Sequence, residues 1–262
     1  MKKKTYITLA ITISILLGFT APVISKAFKK KAVQQVTATK HKKQVQDNIN
    51  NDDENKKIVY LTFDDGPSSK TPKILDILKE NNAHATFFVT AQNPQYKNLM
   101  KRTLKEGHAI GAHSYTHQYS IYQSEQTYFD DLNKIEDYIQ SVTGKKTDLV
   151  RFPGGSSNTI SRHYAKGIMK TLADDLEKKG YKYYDWNISS GDAESPAPAS
   201  ATILSNSTKG TYNHIVLLMH DASTKQSTVD ALPGIIKYYR NQGYTFKSLD
   251  QSNITCHHKI NN

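Results

Sequence analysis

From residue 58 onward the chain alternates between short, nearly continuous apolar runs and longer segments whose apolar residues recur every three or four positions. Short runs rich in β-branched and aromatic residues predict strands, and the longer period predicts helices. Strands are expected at Ile58–Phe63, Thr86–Val89, Ala109–Ala112, Leu149–Phe152, Lys182–Asn187, Ile215–Met219 and near Thr245–Phe246. Helices are expected at Thr71–Glu80, Gln95–Glu106, Ser124–Thr143, Arg162–Lys179, Ala199–Lys209 and Val229–Gln242. In the longest of these, Tyr128, Leu132, Ile135 and Ile139 form the apolar stripe, and Gly144 follows where a helix-ending glycine belongs. Lys178-Lys179-Gly180 closes the next helix in the same way. Strands alternating with helices are the pattern of parallel strands joined by crossover helices, so the fold class is α/β. About seven strands allow either a barrel or an open doubly wound sheet, and periodicity does not choose between them.

The first 57 residues follow a different pattern. Lys2, Lys3 and Lys4 precede an uncharged stretch from Tyr6 to Ile24, and Ser25-Lys26-Ala27 follows it. A basic start, an apolar middle and small residues at the end read as an export signal over residues 1–27. The same 19 residues are also near the minimum length for a membrane span, and Lys29, Lys30 and Lys31 come next, so a retained anchor is equally compatible. Either outcome puts the remainder outside the cytoplasm. Residues 28–57 are expected to be a flexible linker, because Ala32 to Lys57 is rich in Lys, Gln, Asn, Thr and Asp and has no aromatic residue with which to build a core. One catalytic domain would then occupy residues 58–253, with a polar tail at 254–262.

Charge follows the same division. Residues 1–57 carry 12 Lys and Arg against 4 Asp and Glu, leaving 23 against 20 for the rest, so most of the net charge of +11 lies in the leader and linker. A basic excess placed there suits an anionic membrane or wall and gives no reason to expect nucleic-acid binding. Cys256 is the only cysteine, which rules out an internal disulfide and leaves the core and a bound metal to supply stability. The run Cys256-His257-His258 has no fourth ligand nearby and is expected to be part of a disordered end.

The chemistry gathers at the ends of the expected strands. Thr62-Phe63-Asp64-Asp65-Gly66-Pro67 puts two adjacent carboxylates at a strand mouth, and side chains alternate along a strand, so the two point different ways. His113-Ser114-Tyr115-Thr116-His117 brings two imidazoles within reach of one ion from a single turn of chain. With Asp65, His113 and His117 complete a two-histidine, one-carboxylate set that leaves positions open for water and substrate. Asp64 is then free to act as a base. Arg151-Phe152-Pro153-Gly154-Gly155, Asp185-Trp186 and Leu218-Met219-His220 also fall at or just beyond expected strand ends.

Taken in order, Thr-Phe-Asp-Asp-Gly, His-Ser-x-x-His, Arg-x-Pro-x-Gly, Asp-Trp and Leu-x-His resemble the polysaccharide deacetylases of carbohydrate esterase family 4, the NodB-type domain, over roughly Ile58 to Leu249. The resemblance implies an irregular (β/α)7 barrel with its site at the C-terminal strand ends. It also implies hydrolysis of the acetamide of N-acetylglucosamine in cell-wall glycan, most simply peptidoglycan. A secondary wall polysaccharide or its linkage unit, poly-N-acetylglucosamine, chitin oligomers and xylan stand as alternative substrates. The expected cofactor is one divalent ion, zinc by default, with cobalt, nickel or iron suited to the same donors. The expected partners are the wall glycan and, if the leader is retained, the membrane, with the chain a monomer.

Roles carry over with the motifs. Asp64 takes a proton from the attacking water, and His220, as imidazolium, returns one to the departing amine. Asp185 orients Arg151, which in turn hydrogen-bonds Asp64. The backbone N–H of Gly154 helps hold the oxyanion, while Trp186 and Leu218 line the slot for the acetyl methyl. The family often carries an aromatic residue where Gly154 stands, so a groove wall is expected to be missing here. Two rival classes are disfavoured: a noncatalytic wall-binding module would lack ligands or acid, and a serine hydrolase would need a Gly-x-Ser-x-Gly elbow, which the sequence does not contain.

Overall fold

The computed structural model describes residues 56–194 and 198–262. The expected leader and nearly all of the expected linker lie outside the described residues, and among those described no helix is long and apolar enough to cross a membrane. The central strand is β1 (Ile58–Asp64), buried along its whole length. It pairs with β2 (Ala85–Thr90) on one side and β7 (His214–His220) on the other. Beyond β2 come β3 (Ala109–Ser114), β4 (Leu149–Val150) and β5 (Lys182–Tyr183); beyond β7 comes β6 (Ile188–Ser189). A short β8 (Thr245–Phe246) pairs with the start of β1, and every pairing is parallel. The two edge strands, β5 and β6, are consecutive in the chain. The sheet therefore curls into an irregular (β/α)7 barrel that is joined at one seam by the segment 184–187 and not by a strand ladder.

Strand side chains divide by parity, as a pleated backbone requires. Val59, Leu61, Phe63, Phe87, Val89, Ile110, Ala112, Ile215, Leu217 and Met219 belong to the large outer core shared with the helices. Ile58, Tyr60, Phe88, Ala109, Leu149, Tyr184 and Val216 form a separate cluster inside the barrel. The same inward parity continues up the strands to Thr62 and Asp64, His113, Arg151, Leu218 and His220. Apart from Leu218, these are polar residues at the mouth of an apolar plug.

The outer layer holds α1 (Thr71–Glu80), α2 (Leu99–Lys105), α3 (Glu125–Thr143), α4 (Ile168–Lys178), α5 (Ser200–Ser207) and α6 (Gln226–Asn241). In α3 the Ser124 side chain accepts from Thr127 N while the Thr127 hydroxyl answers Ser124 N, a reciprocal cap that satisfies two end donors. Gly144 ends the helix at φ 73°, as expected. Several expected elements are shorter or divided, among them the strand expected over Leu149–Phe152, of which only β4 forms. The helix expected over Gln95–Glu106 is a 3-10 turn at Pro94–Tyr96 followed by α2. The one expected over Arg162–Lys179 is interrupted by Gly167 at φ 77°, so α4 begins only at Ile168. The strand expected over Lys182–Asn187 is cut back to β5, and β6 begins only beyond it at Ile188, because the carbonyls of Tyr184 and Asp185, which a ladder would use, are taken by the Arg151 guanidinium.

The tail does not form a loose end. Cys256 O accepts from Asp185 N, the His257 ring stacks on Tyr183, and Asn262 is bound to Gly167 N and Ala165 O. Polar composition alone suggested disorder, but the tail's hydrogen-bonding groups meet backbone groups that the barrel seam leaves unpaired.

His108, at the foot of β3, is 5% exposed and its Nδ1 accepts from Ala85 N at 3.3 Å. Burial, and after it the nearby His84, push its pKa down from 6.5 to about 4. The native state therefore holds it neutral while the unfolded chain protonates it. The resulting stability is complete above pH 6.5 and is lost as pH falls toward 4, by about 3 kcal/mol as an upper bound. Urea unfolding at pH 7 and pH 4.5 checks this: His108→Gln, which keeps an acceptor and cannot ionise, should lose less stability on acidification than the parent does.

Candidate active site

Arg151 follows β4 and is the largest fully buried side chain, with no exposure at all. A guanidinium in that position must have every donor direction answered. Nη1 donates to Asp64 Oδ1 at 2.9 Å and to Thr62 Oγ1 at 2.7 Å, Nε to Tyr184 O at 2.9 Å, and Nη2 to Asp185 O at 2.9 Å. The Phe88 ring packs against its flat face, 4.3 Å from Cζ. Asp64 itself is 3% exposed and sits beside His220 in the β1–β7 register.

Asp65 is turned away from Asp64 by a left-handed backbone, φ 73°. Its Oδ1 lies 3.2 Å from His117 Nε2 and 3.7 Å from His113 Nε2, and it is buried without a hydrogen-bond partner. His117 is also left-handed, at φ 54°, and two non-glycine residues in this region on either side of one point is the kind of strain that functional sites hold. The ligand atoms of Asp65, His113 and His117 lie within 4.8 Å of one another. His113 Nδ1 faces Arg151 O at 2.8 Å, which fixes its N–H there and leaves the Nε2 lone pair toward Asp65. Burial depresses the His113 pKa to about 3, against the pull of Asp65, so the ring is neutral as a ligand must be. An orphaned carboxylate oxygen and two aimed imidazole nitrogens fit a divalent ion with positions left open.

His220 ends β7. Its Nδ1 meets Asp192 Oδ1 at 2.7 Å, and its backbone N donates to Asp192 Oδ2, which also accepts from Thr228 Oγ1. Burial alone would lower the His220 pKa, but the hydrogen bond and charge of Asp192, with Asp64 and Asp65 behind them, raise it overall. Asp192 was not among the expected site residues. The sequence did carry a signal for it, since Ser189-Ser190-Gly191-Asp192 repeats at the mouth of β6 the strand-then-aspartate-beside-glycine arrangement of Asp64-Asp65-Gly66.

Asp185 requires a correction. Its carboxylate does not reach Arg151; it accepts from Ser156 N, Ser156 Oγ and His258 N, and only its main-chain carbonyl holds the guanidinium. Residues at the seam are spaced so that the peptide, and not the side chain, faces Arg151. Trp186 lies with its ring 5.8 Å from Arg151 Cζ and edge-on to His258. Leu218 is buried inside the barrel beside Thr62. Gly154 has φ 77°, and a Cβ there would meet the Tyr119 hydroxyl and Asn158 Cβ at 3.2 Å. The expected gap in the groove wall is therefore filled by Tyr119, supplied from the loop that follows His117.

Asp131 was also missed. It lies on the buried stripe of α3 between Tyr128 and Leu132, where an acidic residue stands out among apolar ones. Its carboxylate accepts from Ser114 Oγ, Tyr115 N, Thr116 N and Thr116 Oγ1, and Ser114 Oγ in turn accepts from His117 N. One buried carboxylate thus sets the shape of the loop between the two histidines.

Comparison with known proteins supplies the context for this geometry. Residues 51–172 match the family described as polysaccharide deacetylase. YheN of Bacillus subtilis, named as a polysaccharide deacetylase with no substrate given, is 36% identical over 210 residues, covering 77% of this chain and 70% of its own. A peptidoglycan-N-acetylglucosamine deacetylase of Bacillus cereus is 33% identical over 199 residues, covering 74% and 69%. Among solved structures, the catalytic domain of peptidoglycan N-acetylglucosamine deacetylase from Eubacterium rectale superimposes with a TM-score of 0.75 at 44% identity, covering 79% of this chain and 94% of that one.

The hydrogen bonds of Asp131 yield a measurable expectation. Asp131→Ala should weaken divalent-ion binding at Asp65, His113 and His117, with zinc as the probe, about 10- to 100-fold, the usual cost of removing a group that orients ligands, and metal-saturated protein should regain most of its turnover. Competition titration with a chromophoric chelator measures the first effect, and unchanged zinc affinity would show that the loop holds its shape without this carboxylate.

Proposed function

The chain belongs to the polysaccharide deacetylase family, hydrolases that act on N-acetylated sugars, and from that premise we propose that it removes acetyl groups from the N-acetylglucosamine of cell-wall peptidoglycan, outside the cytoplasm and with one divalent ion bound. The observation that carries the reading is the placement of a buried base candidate, Asp64, between a three-residue ligand set and a histidine whose pKa is raised. The substrate assignment is supported by the relatives named for that glycan. The basic, apolar leader supports an extracytoplasmic location.

An ion held by Asp65, His113 and His117 supplies Lewis-acid polarisation of the acetamide oxygen and of the attacking water, and zinc is the default occupant by availability and donor type. The remaining work belongs to side chains of the protein. Asp64 Oδ2 takes the proton of the attacking water, while Oδ1 stays on the Arg151 guanidinium and keeps the carboxylate from rotating. The Gly154 N–H donates to the oxygen on which negative charge develops, and the left-handed backbone at Gly154 aims it. His220 carries a proton on Nε2 and gives it to the amine nitrogen as the C–N bond breaks. Asp192, on the opposite ring nitrogen, favours the protonated form and holds the ring in place. Arg151 is a positioning residue for Asp64, and Asp192 is one for His220. Leu218 offers an apolar surface to the acetyl methyl, with Trp186 as its expected partner.

Acetate release from purified N-acetylated peptidoglycan tests the reading. The zinc-loaded parent should release acetate and leave free amines on the glucosamine residues. Asp64→Asn should bind zinc as the parent does and lose at least about 10²-fold in kcat, because the amide cannot accept a proton. A zinc-loaded parent that leaves every acetamide intact would overturn the substrate assignment, and a fully active Asp64→Asn would overturn the role of the base.

A further inference from the structure

The barrel seam leaves a peptide segment in need of partners. Tyr184 N donates back to Val150 O on the β4 side and Asn187 N across to Val216 O on the β7 side, so the residues between them belong to neither edge ladder. The carbonyls of this segment are essential to the site: Tyr184 O and Asp185 O hold Nε and Nη2 of Arg151. What holds the segment itself comes from the end of the chain. Asp185 N donates to Cys256 O at 2.7 Å, and the Asp185 carboxylate accepts from His258 N at 2.7 Å. His257 stacks on Tyr183 with ring centroids 3.7 Å apart, and its Nε2 reaches Tyr183 O at 2.9 Å. His258 bonds Trp186 O through Nε2 and Ser157 Oγ through Nδ1. Residues 183, 185 and 186 are therefore each bound by residues 256–258.

We propose that the segment 254–262 is a working part of the active site: it fills the open seam, fixes the two carbonyls that clamp Arg151, and does so through Asp185, a positioning residue that also ties down the Gly154 loop by way of Ser156. The reasoning is one of buried polar satisfaction. A guanidinium with no solvent contact keeps its orientation only while its acceptors keep theirs. The Tyr184–Asp185 peptide unit presents the Tyr184 carbonyl to Arg151 Nε while its N–H, that of Asp185, is held by Cys256 O, so loss of the tail frees this unit to rotate and loosens the Asp185 carbonyl that follows it. Asp64 Oδ1 would then lose its fixed donor, and reacting groups displaced by about 1 Å can lose on the order of 10²-fold in rate. Of the metal ligands, Asp65 directly follows β1, His113 lies on β3 and His117 on the loop after it, none of them on the seam segment, so the effect should fall on turnover and not on the ion.

This proposal rests on the deacetylase reading only for its kinetic readout. Residues 254–262 are deleted from the otherwise complete chain, and the zinc-loaded protein is assayed on N-acetylated peptidoglycan. In parallel, solvent exchange of the Arg151 Nε–H is followed by 15N NMR. The expected result is unchanged zinc stoichiometry, kcat lowered about tenfold or more with KM within about twofold, and an Arg151 Nε–H that exchanges freely where the parent's is protected. If the truncated chain does not fold, Asp185→Asn in the full chain decides the matter, because it removes one acceptor from Ser156 and His258 and should show the same kcat and exchange pattern. A folded, zinc-loaded truncation, or Asp185→Asn, with parental kcat and a protected Arg151 Nε–H would overturn the proposal. If the parent itself releases no acetate, the deacetylase reading fails and the exchange measurement alone decides: lost protection supports the proposal, and retained protection sinks it.

Discussion

A charged guanidinium with zero exposure in the middle of a barrel is the constraint around which the rest of this structure is arranged. Arg151 needs acceptors on several sides, and the fold supplies them from β1, through Thr62 and Asp64, and from the seam, through two main-chain carbonyls. Each acceptor has a structural consequence. Asp64 is held rigid at the mouth, the seam segment cannot continue as a strand, and β5 and β6 are left as two-residue pieces on either side of it. Phe88 closes the flat face of the cation, so the apolar plug below and the polar site above meet at this one side chain.

The two adjacent aspartates show how local backbone divides chemical labour. Asp64 is the last residue of β1 and keeps the strand's inward parity, which delivers it to Arg151. One residue later the chain enters a left-handed conformation, and Asp65 is carried to the histidines instead. The turn is itself anchored: Asp221, directly after His220, accepts from Ser68 and Thr71 and donates its N–H to Asp64 O. Burial pushes the Asp221 carboxyl up to about 6, opposed by those two hydroxyls. A Cβ at Gly66 would come within 2.5 Å of it, which is why this turn needs glycine.

Much of this was legible in the amino-acid sequence because strand mouths carry a local signature: an apolar run followed at once by charged residues and a turn. That signature located Asp64, Asp65, Arg151, Leu218 and His220, and the four-residue spacing located His113 and His117. Side-chain partners across the barrel were not legible. Asp185 was assigned to Arg151 by family resemblance, yet the peptide faces the guanidinium and the carboxylate faces the tail, a distinction of main-chain orientation that no spacing records. Asp131 and Asp192 act through elements distant in sequence from the groups they hold, and the space beside Gly154 is filled by Tyr119 from another loop. The tail illustrates the same limit, since its polar composition resembles that of a disordered end and only the unpaired seam gives it somewhere to bind.

The most direct test of this account is a stability and activity cycle on the buried pair. Arg151→Met, Asp64→Asn and the double variant are unfolded in urea with zinc saturating, and acetate release is measured for each. Removing the cation alone should cost about 3–5 kcal/mol, because Asp64 is left buried and uncompensated, and neutralising Asp64 as well should recover a good part of that loss, with turnover lost in both. An Arg151→Met protein as stable and as active as the parent, or a double variant whose loss is the plain sum of the two single losses, would contradict the claim that this ion pair organises the site.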